Sequence, residues 1–152
     1  MRRLAALATG LALAAGLACG LISDGLDGSL TSDAPTLGSW TFVPDTCESG
    51  QRRGFNGVSL YDDDHPEIAI DVVDDPLDGL ALAVDGVQCD DRTTCTPVVL
   101  YASDCPALDG YIYRNTSVST NNVWHVEGWV SVECELPGGG RLRGDVNFDG
   151  CH

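Results

Sequence analysis

From residue 39 onward, apolar side chains recur at alternate positions over short runs, and no run long enough for a helix carries a 3.6-residue repeat. Residues 39–43 hold Trp40 and Phe42, and a second run at 55–61 follows Gly54. Residues 67–73 place Ile68, Ile70 and Val72 on one face, and after a break Leu80, Leu82 and Val84 resume the same pattern. The break is Asp74-Asp75-Pro76-Leu77-Asp78-Gly79, a dense turn signal. Residues 97–101 and 111–113 are shorter strand candidates.

The C-terminal region carries the strongest pattern. Residues 123–134 put Val126, Gly128, Val130, Val132 and Cys134 on one face, and Leu142, Gly144, Val146 and Phe148 repeat it in the final run. Leu136-Pro137-Gly138-Gly139-Gly140 lies between them, so the two runs form an antiparallel hairpin around a Gly-rich loop. A one-residue slip would expose every core residue, which sets Val132 against Leu142 or Gly144. Glu133 then faces Arg141 or Arg143, a favourable cross-strand pairing of charge. Seven or eight such strands predict an all-β fold, an antiparallel β-sandwich or small barrel.

The chain opens differently. Met1-Arg2-Arg3 precedes an apolar run, 4–18, built only of Leu, Ala, Gly and Thr. A positive start followed by a short apolar stretch is the pattern of a secretory signal. About 15 residues fall short of the roughly 20 that span a bilayer as a helix. Ala15-Gly16-Leu17-Ala18 before Cys19 resembles the lipobox of bacterial lipoproteins, with Gly16 where that family usually has Leu. The resemblance implies cleavage before Cys19 and a lipid on its sulfur. Gly20 replaces the Asp that commonly retains such proteins at the inner membrane, which implies the outer membrane or cell surface of the bacterial envelope. Several acyl chains would hold the protein durably, where one would not. Residues 19–38 are rich in Gly, Ser, Asp and Leu without periodicity, and are expected to be a flexible tether. The expected organisation is therefore a signal peptide at 1–18, a lipidated tether at 19–38 and one β domain at 39–152.

Charge and cysteine content refine this picture. Loss of Arg2 and Arg3 with the leader leaves 6 of the 8 basic residues against 23 acidic ones, moving the formal balance from −15 to −17. Such a field repels nucleic acid and anionic lipid surfaces, so neither is expected as a partner. Beyond Cys19 stand Cys47, Cys89, Cys95, Cys105, Cys134 and Cys151. An even count in an exported domain reads as disulfides, and zinc would call for paired C-x2-C spacings that do not occur. Cys134 and Cys151 fall at opposite ends of the C-terminal hairpin, roughly 30 Å apart at about 3.3 Å per residue, too far for a bond. Cys89 and Cys95 flank a short loop. Of the 15 pairings that six cysteines allow, we expect 89–95, 47–151 and 105–134.

Three groups of residues are candidates for chemistry. If Val126, Val130 and Val132 face the core, His125, Glu127 and Trp129 project from the other side, where a tryptophan among polar groups can stack on a sugar or anchor a protein. Asp62, Asp63 and Asp64, with Asp74, Asp75 and Asp78, belong to a segment, 62–91, that holds 11 acidic residues and no basic one. Were their loops to meet, they would be calcium ligands; otherwise they are solvated turns. Asp145-Val146-Asn147-Phe148-Asp149-Gly150 fits the opening of an EF-hand loop and resembles dockerin calcium loops. The ligands required at later positions do not follow, and strand alternation accounts for the same residues.

No nucleophile elbow, H-E-x-x-H or P-loop occurs, and the three histidines, 65, 125 and 152, show no metal-ligand spacing. The expected protein is thus a non-catalytic, lipid-anchored envelope module that binds a protein or glycan or serves structurally. A calcium-dependent module and a hydrolase with carboxylate catalysis are the alternatives.

Overall fold

The C-terminal hairpin dictates the architecture. In the computed structural model, which describes residues 25–86, 96–105 and 107–152, these two runs are the strands β9 (Val123–Glu135) and β10 (Arg141–Cys151). Val132 pairs with Gly144 and Glu133 with Arg143, the register that alternation predicts. Glu135 faces Arg141, and their side chains meet at 3.0 Å. The Gly-rich loop closes through bonds from Leu136 N–H to Gly140 O and from Gly139 N–H to Leu136 O, each 3.0 Å.

Eight further strands complete two antiparallel sheets of five strands each. They are β1 (Asp27–Ser32), β2 (Trp40–Phe42), β3 (Thr46–Ser49), β4 (Gly57–Tyr61), β5 (Ala69–Asp75), β6 (Gly79–Asp85), β7 (Val98–Tyr101) and β8 (Asp109–Thr120). One sheet runs β2-β1-β10-β9-β8, and the other is a plain meander from β3 to β7. The described strands thus begin in the first sheet, build the whole of the second, and return to pair β10 with β1. The outcome is a sandwich and not a barrel. A four-residue 3-10 turn (Gly50–Arg53) links β3 towards β4. Among the described residues no helix is long and apolar enough to cross a membrane.

One core fills the space between the sheets. Leu30, Phe42, Val126, Val130, Leu142, Val146 and Phe148 from the first sheet meet Val58, Leu60, Ile70, Val72, Leu82 and Val84 from the second, all of them buried. Burying such side chains contributes about 1.5–3 kcal/mol each, the main drive to fold. Two disulfides reinforce the core. Cys47 in β3 bonds Cys151 at the end of β10, joining the sheets. Cys105, after β7, bonds Cys134 in β9. Both match the expected pairing; Cys19 and the expected 89–95 pair lie outside the described residues.

A bulge makes the first of these bonds. Gly128 pairs with Phe148, yet Val126 pairs with Cys151, so one extra residue is inserted in β10. Without it, alternation from the inward Phe148 would turn Cys151 outward. With it, Cys151 faces inward onto Cys47 and His152 emerges on the outer side. Gly150 absorbs the distortion at φ 76°, a backbone state that an L side chain resists.

Two expectations need correction. Among the described residues there are ten strands, where seven or eight were expected. The segment expected to be a tether, 19–38, contributes β1 from Asp27, and Leu30 and Leu37 are fully buried. β1 has poor strand composition, but β10 and β2 flank it and satisfy its backbone on both sides. Strand formation is decided here by neighbours and not by propensity.

Candidate ligand-binding face

Alternation along β9 fixes what the outer face of the first sheet presents. With Val126, Val130 and Val132 inward, His125, Glu127 and Trp129 point out, as expected from the sequence. Trp129 is 38% exposed. Across the strands it stands beside Tyr111 of β8 on one side and Asn147 of β10 on the other. Tyr113, two residues further along β8, lies opposite Glu127. Tyr111 and Tyr113 are 55% and 44% exposed, with ring planes within 5° of parallel and centroids 6.4 Å apart. Three large rings therefore share one uncovered surface. Apolar surface of this kind, grouped on an outer face, marks an interaction site more often than scattered exposed residues do.

Polar groups border the rings in an ordered way. Asp27 pairs with Asn147 to continue the Trp129 row, and the next row is Ser29, Asp145, Ser131 and Asp109. A shallow depression of about 440 Å³ opens alongside, lined by Ser29, Thr31, Ser131, Glu133, Arg143 and Asp145. The tyrosines were legible in the sequence as a strand, not as part of a site. Their place beside Trp129 follows from the β8–β9 register, which no local signal specifies.

At the far end of this face His125 meets His152. Their rings stack with centroids 4.9 Å apart, and Thr120 Oγ1 lies 3.0 Å from His125 Nε2. Trp124, at the same end of β9, is half-buried, and its backbone N–H donates to Gln51 Oε1 at 3.1 Å.

The six acids singled out as calcium ligands are not brought together. Asp62, Asp63 and Asp64 precede β5, while Asp74, Asp75 and Asp78 lie at its other end, about 20 Å away along a seven-residue strand. Two of the six carboxylates, those of Asp62 and Asp75, are occupied with the backbone. Buried Asp62 accepts from the N–H groups of Val43 and Asp64, both at 2.8 Å. Asp75 Oδ1 accepts from Leu77 N–H and Asp78 N–H, at 2.7 and 3.1 Å, closing the β5–β6 turn. Asp74 accepts from the Asn56 amide at 3.0 Å, and Asp63 N–H donates to Asp45 at 2.9 Å. The carboxylates of Asp62 and Asp75 thus serve as turn-forming groups. The residues from Asp145 to Asp149 run extended within β10 rather than wrapping an ion. Among the described residues no three or more His, Cys, Asp or Glu side chains converge to hold a metal.

Two carboxyls have shifted acidity. Burial pushes Asp71 on β5 up from its ordinary value, outweighing the hydroxyl of Ser59 and the guanidinium of Arg53, which oppose the shift; Asp85 adds to it. Arg53 reaches both partners, at 2.6 Å from Asp71 and 3.1 Å from Ser59. Asp75 moves the other way, held down by its two backbone N–H donors.

Across known proteins, no family model, no curated protein and no solved structure matches this chain.

Proposed function

We propose that this chain is a non-catalytic module of the bacterial envelope, anchored through lipid on Cys19, that binds glycans on the outer face of its first sheet. The observation that carries the reading is the uncovered aromatic run Trp129, Tyr111 and Tyr113. A pyranose ring presents a face of C–H groups that packs on aromatic rings, while its rim of hydroxyls needs donors and acceptors. Glu127, Asn147, Asp27 and Ser131 border the rings and offer them. The charge of −15 over the full chain favours neutral glycans over anionic ones. The export signal, the paired cysteines and the β-sandwich agree with such a role.

A glycan array probed with the purified protein and with Trp129→Ala tests the face. Binding to neutral oligosaccharides that falls by about tenfold or more in the variant is expected, the loss of a buried aromatic contact being worth 1.4 kcal/mol or more. Identical profiles, or no glycan bound by the parent protein, would remove the reading. Incorporation of labelled palmitate into cells expressing the chain, abolished by Cys19→Ser, tests the anchor separately.

A further inference from the structure

His125 and His152 are directly opposed on the outer face, because the bulge that turns Cys151 inward pairs it with Val126 and brings the next residue against His125. Their rings lie 12° from parallel, with centroids 4.9 Å apart. Each ring is held at one nitrogen. His152 Nδ1 is 2.9 Å from the carbonyl oxygen of Gly150. A carbonyl only accepts, so Nδ1 carries the proton and Nε2 carries the lone pair. His125 Nε2 shares a bond with the Thr120 hydroxyl, which can accept its proton and leave the lone pair on Nδ1.

The geometry points to a two-histidine site for a borderline divalent transition ion at His125 and His152, taking Cu²⁺ ahead of Zn²⁺. Imidazole nitrogen suits these ions, and copper heads the affinity order, whereas Ca²⁺ and Mg²⁺ select oxygen. For both nitrogens to meet one ion the rings must leave the stack, exchanging the Thr120 and Gly150 bonds for metal–nitrogen bonds of about 2.0 Å. Two protein ligands leave the remaining positions to water. The site is therefore one of reversible uptake, weaker than a four-ligand structural centre, and it lies on the same face as the aromatic rings without depending on them.

Calorimetric titration of the purified full-length protein with CuCl₂ and ZnCl₂, joined to electron paramagnetic resonance of the copper form, tests this site. The expected result is one ion per chain, nitrogen couplings from imidazole, and Cu²⁺ bound more tightly than Zn²⁺. His125→Ala and His152→Ala should each weaken uptake by about tenfold or more. His65→Ala should not, since that residue lies beside Glu67 at 3.4 Å, away from the pair. His152→Gln, which keeps a polar group at the end of β10, carries the test if an alanine variant fails to fold. The cysteines are common to every variant and cancel in the comparison. Copper uptake that is absent from the parent protein, or unchanged in the His125 and His152 variants, overturns the assignment.

Discussion

Asp71 is the residue whose burden is most visible. Its carboxyl sits partly buried on the outer side of the second sheet, and the guanidinium of Arg53 at 2.6 Å does not fully offset the loss of water. A carboxyl whose folded acidity constant lies above its unfolded value of 3.8 binds a proton more tightly when folded. Its stabilising contribution is thus complete below that value and is lost as pH rises through the folded one. Asp75 has the opposite sign: its contribution is present above 3.8 and is lost as pH falls through its depressed value. Midpoints of urea unfolding measured across the acidic range should separate the two. Asp71→Asn is expected to remove a fall in stability with rising pH just above 3.8, and Asp75→Asn to reduce acid sensitivity below it. A pH profile identical to the parent in both variants would contradict these assignments.

Elements were legible where one face of a strand is apolar and its neighbours are close in sequence. β5, β6, β9 and β10 satisfy both conditions, and the Val132–Gly144 register followed from their alternation alone. β1 has no apolar face, since Leu30 is its only large apolar residue, and one of its two partners, β10, lies more than a hundred residues away. β3 is similar, with Cys47 as its inward anchor. β8 was half legible: Tyr111 and Tyr113 mark it, but its distal part is polar apart from the exposed Val118 and is held by the hairpin turn at Asn121 and Asn122, both with positive φ. The aromatic face and the histidine pair needed long-range register and a bulge, so the sequence alone placed only Trp129 and its β9 neighbours. Gly144 shows how tightly β10 is bound to β1. At its φ of 133° an added Cβ would run into the carbonyl oxygen of Ser29 and stand 3.1 Å from Leu30 Cα. Gly144→Ala is expected to cost about 2–4 kcal/mol through clash and backbone strain, read as a lower thermal midpoint. A midpoint equal to the parent's would mean that β1 can move away freely.

At the scale of the whole molecule, the two described disulfides act over very different spans, closing 104 and 29 residues. Chain-entropy reasoning gives about 4.7 kcal/mol for the longer loop and about 3.6 kcal/mol for the shorter. The double variant Cys47→Ser/Cys151→Ser should therefore unfold at lower denaturant than Cys105→Ser/Cys134→Ser; the reverse order would show that local packing outweighs loop length. The strand β1 sets a different limit, on reach. Gly25 N–H already bonds Asp149 O at 3.0 Å, and only six residue steps separate that pinned point from Cys19. Fully drawn out, they measure about 20–22 Å. In the anchored form proposed above, the sandwich hangs on a leash much shorter than β9 itself. The leash leaves from the end where Asp27, Asn147, Trp129 and Tyr111 share a row. If Cys19 carries the proposed lipid, a ligand for the outer face has to be met at the membrane's edge.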